Sequence, residues 1–233
     1  MPITTFNDSE FGMVKVRYDA RACRIIFRVK DGALVITAPV ATSQTIIEKS
    51  LNEKRSAISQ LFNKSKTNTL RIGDTIQTRC FEIELHSHAL SKMLFSLKNS
   101  KLNIFIPQNV DIENMTFQKL LKQNILKVAK RASVGYLSTR LNQLAQARGL
   151  KYNEFAVSTA RTRMGVCSNK KKITLSAYLI FYPQHLIDYV ILHELAHLTE
   201  MNHGPRFHAL CNSYCGGKER ELEREFKRFK LPL

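Results

Sequence analysis

Between Ile191 and Phe207 the sequence reads ILHELAHLTEMNHGPRF, and two histidines four residues apart in an apolar run point to an α-helix. At about 100° per residue, a helix sets His193 and His197 roughly 40° apart on one face, one turn from each other. Two imidazoles can then share one cation. On the same wheel Ile187, Ile191, Leu195 and Leu198 fall about 120° to 200° from His193, which predicts that the opposite side packs into the core. Glu194 comes to the flank, where its carboxylate can reach a water on the ion without taking the water's place.

A catalytic zinc site needs three protein ligands and an open fourth position. His203 is the expected third ligand. The helix is expected to end near Met201-Asn202, Asn tolerating a left-handed cap, with Gly204-Pro205 fixing the turn that presents His203. The spacing of His193, His197 and His203 is the same as in the three-histidine metzincin motif, but Glu200 stands where that family turns on a glycine. The turn must therefore be made differently. A carboxylate of the last helix, Glu219 or Glu221, is the alternative third ligand. With one zinc per chain, water becomes a nucleophile near neutral pH and Glu194 serves as its base. Arg163, His208 and Tyr214 remain open as donors to the developing oxyanion. Cys167, and the pair Cys211 and Cys215, read as packing thiols rather than a nucleophile or a second metal site.

Up to about residue 110 the chain reads as sheet. Met13 to Tyr18, Cys23 to Val29 and Ala33 to Ala38 alternate as strands, with Asp31-Gly32 as a turn, which predicts an antiparallel meander. One amphipathic helix is expected from Ser43, and strands again at Thr75 to Leu85, Met93 to Leu97 and Leu102 to Ile106, closed by Pro107. From Ile112 to Arg148 an apolar stripe of helical period follows, with Gly135 a point of division. Strands are then expected at Phe155 to Thr159 and Ile173 to Phe181, and Pro183 can open the histidine helix because its missing N–H costs nothing there. A short helix after Gly204-Pro205, a break at Gly216-Gly217 and a charged final helix complete the reading, with no internal repeat. The expected class is α+β: a sheet-rich unit over residues 1–110 and a zincin-like unit over 111–233.

A chain of 233 residues with 44% hydrophobic content can bury a sizeable core. Five scattered cysteines and the absence of a signal-like start or of a long apolar run predict a cytoplasmic protein without a membrane span. The net charge is +17, and residues 114–172 hold thirteen Lys and Arg against the single acid Glu154, a net +12. Such a field attracts nucleic acid or other polyanions.

The sequence resembles the YgjP-like family of metal-dependent hydrolases, related to the SprT and WLM groups of zincin-like metallopeptidases. The resemblance rests on Arg163-Met164-Gly165-Val166-Cys167-Ser168, Ile173-Thr174-Leu175-Ser176, Pro183, Tyr189 to Leu198, and Asn202-His203 through Phe207, within about residues 135–210. Met164, Val166 and Ser176 depart from the family's usual Trp, Ser and Asn. The resemblance implies a zinc metallopeptidase acting on a peptide or protein substrate, and through the SprT group an action on proteins bound to DNA.

Overall fold

Alternation builds the first sheet: Val14 and Val16 are buried while Met13, Lys15 and Arg17 between and beside them face solvent. The computed structural model describes residues 3–30, 32–66 and 69–233. Its backbone packs as two compact units, Met1–Leu70 with Asp111–Lys119, and Arg71–Val110 with Leu120–Leu233. Among the described residues the fold is mixed α+β, with three small sheets and six α-helices.

In the first unit the strands are β1 (Ile3–Asp8), β2 (Gly12–Tyr18), β3 (Ile26–Lys30) and β4 (Ala33–Ala38), in the order β1-β2-β4-β3. The expected meander is corrected here. β2 and β4 pair in parallel, Val16 opposite Ile36, because β3 folds back antiparallel on the far side of β4. β1 escaped the sequence reading because most of its residues are exposed and show no alternation. Of the Asp31-Gly32 turn, Gly32 has a φ of 75° and Asp31 lies outside the described residues. Two helices replace the single one expected: α1 (Gln44–Glu53), whose first turn is capped by the Ser43 hydroxyl accepting from the Ile46 N–H, and α2 (Arg55–Lys66), separated by Lys54. Ile47, Leu51 and Ile58 cover Val14, Val16, Leu34 and Ile36 to close this core.

The second unit begins with β5 (Thr75–Gln77), β6 (Glu82–His88), β7 (Leu94–Lys98) and β8 (Lys101–Pro107). Their order, β5-β6-β8-β7, and their pairing, with a parallel central pair, repeat those of the first sheet. The sequence carries no trace of this repeat. The helix α3 (Met115–Gln146) then runs unbroken through Gly135. Asn114 caps it by accepting from the Thr116 and Phe117 N–H groups. Leu121, Ile125, Ala129, Ser133, Leu137, Leu141 and Ala145 are buried at every fourth position, so the buried stripe drifts about 40° per step around the helix.

The last sheet contains β9 (Glu154–Ser158), β10 (Gly165–Cys167) and β11 (Lys172–Ser176), in the order β10-β11-β9. The strand expected over Ile173 to Phe181 stops at Ser176. Its hydroxyl accepts from the Tyr178 N–H and donates to the Ala160 carbonyl, opening a 3-10 turn over Ala177–Phe181 whose residues are all buried. Buried in either conformation, this apolar run has no periodicity to distinguish strand from turn. Three helices follow: α4 (Gln184–Ala196), α5 (Pro205–Tyr214) and α6 (Glu219–Arg228). α4 is fastened to α3 by the Arg140 guanidinium, which donates twice to Asp188 at 2.7 Å, and by Gln184, which bonds both Tyr136 and Asp188. No helix among the described residues is long and apolar enough to cross a membrane.

Candidate metal centre

The α4 helix is more deeply enclosed than the wheel predicts. Its apolar face was expected opposite the histidines, but Leu186, Tyr189, Val190, Leu192 and Glu194 are buried as well as Ile187, Ile191 and Leu195. The reason is that α5, α6 and β10 pack around it on several sides. It also ends earlier than expected. The last α-helical residue is Ala196, and His197 forms the cap in a right-handed conformation, so Asn202 is no left-handed cap.

The turn after it uses short backbone bonds in place of a glycine. Thr199 and Glu200 N–H groups return to the Ala196 carbonyl, and the Gly204 N–H reaches back to the Asn202 carbonyl at 2.7 Å. That last bond spans a single residue, and the residue at its tip is His203. Gly204 itself is extended, with φ −85°, and leads into Pro205 at the start of α5.

This turn folds His203 back onto α4. His203 Nε2 lies 3.1 Å from His193 Nε2 and 3.2 Å from His197 Nε2. The three ligand atoms fall within 4.8 Å of one another. Three nitrogen lone pairs facing one point repel each other unless a positive centre sits among them. In a tetrahedral zinc site with bonds of about 2.0–2.1 Å, ligand nitrogens are about 3.3 Å apart, close to the spacings found here. The residues present therefore fit a metal ion. His197 Nδ1 bonds the Glu200 carbonyl at 3.0 Å, which places the proton on Nδ1 and frees Nε2 for the cluster. His193 Nδ1 is buried without a hydrogen-bond partner among the described residues.

Electrostatics favour neutral imidazoles. Burial drives the His193 pKa down to about 4, with His197, His203 and His208 adding to the effect and Glu223 opposing it. Burial likewise lowers His197, aided by His203 and opposed by the Glu200 backbone bond. Neutral rings are the form that binds metal. The floor of the cluster is Phe207, fully buried, whose ring centroid lies 4.8 Å from that of His193, 4.4 Å from His197 and 4.7 Å from His203.

Glu194 is 5% exposed. Burial pushes its carboxyl up to about 7, opposed by a hydrogen bond from the Cys167 backbone. The Cys167 thiol is itself raised to about 11, by burial and then by the neighbouring Glu194, which suits a packing thiol. Cys211 is buried against Ala196 and Phe207. All five cysteines are free.

The alternative ligand Glu219 is engaged elsewhere, its carboxylate 2.8 Å from His208 Nδ1. Of the proposed oxyanion donors, His208 is held in that pair, Tyr214 lies beneath the Arg148 guanidinium at 5.2 Å, and Arg163 is exposed. Two contributors escaped the sequence reading. Phe207 stood in the motif with no role, though its position four residues after His203 was a usable signal. Gly165 had no signal beyond its place in the Arg163–Ser168 segment.

Comparison with protein families agrees with this geometry. A family model described as YgjP-like, metallopeptidase domain, matches residues 23–229. The chain belongs to the YgjP-like family. Its match takes in the three histidines, Glu194 and β10, and extends back through β3 and β4 of the first sheet. Comparison with curated proteins and with solved structures gave no match.

Proposed function

We propose that this YgjP-like chain is a zinc-dependent hydrolase of peptide bonds, with His193, His197 and His203 as the metal ligands and Glu194 as the general base. The observation that carries the reading is the convergence of three imidazole nitrogens, two of them from the helix and cap that also carry the buried Glu194. When bound, the zinc supplies a Lewis acid that polarises a carbonyl and makes water acidic enough to attack near neutral pH. Glu194 takes the proton from the attacking water and hands it to the leaving amine. Its raised pKa suits both halves of that transfer, and a cation beside it would hold the carboxylate in its ionised, proton-accepting form. His203, exposed at the tip of its turn, leaves one side of the cluster open to substrate. Purified protein carrying zinc should cleave members of a peptide library, Glu194→Gln should keep the zinc and lose cleavage, and His193→Ala should lose both. A Glu194→Gln protein as active as its parent would refute the assignment.

A second reading concerns partners. Lys127, Lys130 and Arg131 are exposed within an arc of about 100° on α3, part of the net +12 segment. We infer that this face binds nucleic acid through phosphates, which would place a peptidase among DNA- or RNA-bound proteins or, if hydrolysis is absent, make the zinc site structural. Binding to a DNA duplex should fall steeply with salt and weaken when the three residues become Gln. Absent or salt-independent binding removes this reading.

A further inference from the structure

The general base proposed above needs a fixed carboxylate, and the short strand β10 meets that need at Gly165. Gly165 has an ordinary backbone conformation that other residues adopt, so backbone freedom does not explain a glycine there. Space does. A Cβ built on Gly165 would fall 2.5 Å from Glu194 Cγ and 2.7 Å from Cδ, distances that real side chains do not reach. Glu194 is buried and its Cγ is the near part of the chain, so it cannot swing aside as an exposed tip would.

The strand itself is held in place by β11. Met164 and Ser168 turn their backbone toward β11, the Ser176 N–H donating to the Met164 carbonyl and the Ser168 N–H to the Lys172 carbonyl. Backbone groups alternate sides along a strand, so the N–H groups of Gly165 and Cys167 face away from β11. Among the described residues β10 is an edge strand, with no further strand on that side. The helix α4, which carries Glu194, packs against β10.

We infer that β10 is the seat of the Glu194 side chain, with Gly165 acting as a positioning residue by the side chain it lacks. Its catalytic consequence rests on the reading of Glu194 as base, but the seat itself does not.

The test is a thermal double-mutant cycle on the full chain with zinc bound, using Gly165→Ala, Glu194→Ala and the double variant. Gly165→Ala should lower Tm by about 3–10 °C when Glu194 is present and by much less when Glu194→Ala has removed Cγ and Cδ. If Gly165→Ala fails to fold while the double variant folds, the inference is supported. Equal losses in both backgrounds, or failure of both variants to fold, overturn it. Zinc content should stay near one per chain in Gly165→Ala, because the ligands lie on other elements. On any peptide the parent cleaves, kcat should fall about 100-fold with KM little changed, as misplacing a catalytic group by about 1 Å does. Coupling in Tm without hydrolysis by the parent would sink the peptidase reading and leave the seat standing. Hydrolysis that needs Glu194, with no coupling, would do the reverse.

Discussion

The ring of Phe207 stacks on that of His197, centroids 4.4 Å apart and planes 25° apart, and the same ring meets His193 and His203 edge-on. One buried side chain thus sets the height and tilt of all three ligands. Replacing it with Ala removes a fully buried ring and leaves a cavity under the cluster, at a cost of about 3–5 kcal/mol. Phe207→Leu fills more of the space but gives the imidazoles no flat support. Its zinc affinity should drop about 10–100-fold, the range seen when groups that orient metal ligands are lost. Titration against a chelator of known affinity measures this. An unchanged affinity in Phe207→Leu would show that the histidines hold their geometry without the ring.

Metal removal tests the cluster as a whole. Stripped of zinc, His203 Nε2 still lies 3.1 and 3.2 Å from the other two ring nitrogens but loses the cation that ties its turn to the helix. A chelator should therefore lower Tm, and zinc at about 1,000 times its dissociation constant should restore about 4 kcal/mol of stability. His203→Ala should remove the response to zinc while leaving the metal-free Tm nearly unchanged, since His203 is exposed. A zinc-dependent Tm shift that survives in His203→Ala would point to a shell completed by another side chain.

The ligands were legible in the sequence because their spacing reports local geometry. His193, His197 and Glu194 need only one helical turn, and His203 only a short reversal after it. What surrounds them was not legible. The helix cap at His197, six residues before His203, depends on backbone bonds to Ala196 that no residue type specifies. β10 is three residues long, and nothing in the sequence marks Gly165 until Glu194 is seen lying against it. The parallel pairing of β2 with β4, and of β6 with β8, is likewise invisible, since alternation marks a strand but not its neighbour. The same ambiguity hid the common order of the two four-stranded sheets, whose residues share no pattern beyond alternation.

Between α3 and α4 the Arg140–Asp188 pair is bidentate and shares Asp188 with Gln184. Asp188→Ala would leave the guanidinium and the Gln184 amide without their acceptor. Charge-assisted bonds of this kind contribute about 1.5–3 kcal/mol, so a loss near that size is expected in a denaturant melt. Asp188 lies on the helix that carries the ligands, five residues before His193, yet zinc stoichiometry should be unaffected if the helix stays docked by its apolar contacts. Loss of zinc along with stability would mean that the pair also aligns the ligands.

In the first unit, Arg55 clamps the loop after β1, donating to both Asp8 oxygens at 3.1 and 2.8 Å and to Glu10 at 3.1 Å. The Arg55 hydrogen bonds hold the Asp8 carboxyl below its usual value, with the Phe11 and Glu10 backbone N–H groups assisting and burial opposing. Because the folded pKa is depressed, the unfolded chain binds the extra proton first as pH falls. The stabilisation is thus complete above the ordinary Asp value of about 3.9 and disappears as pH drops through the folded value. Arg55→Met should lower Tm at pH 7 and bring acid unfolding to a higher pH, while the two melting curves should approach each other as the pH falls towards 2 and Asp8 takes up its proton. High salt should shrink the pH 7 difference only in part, since Asp8 is largely buried beneath the guanidinium. A gap between the two proteins that is the same at pH 7 and pH 2 would mean that Arg55 acts through packing on Phe11, over whose ring it also lies, and not through the carboxylate.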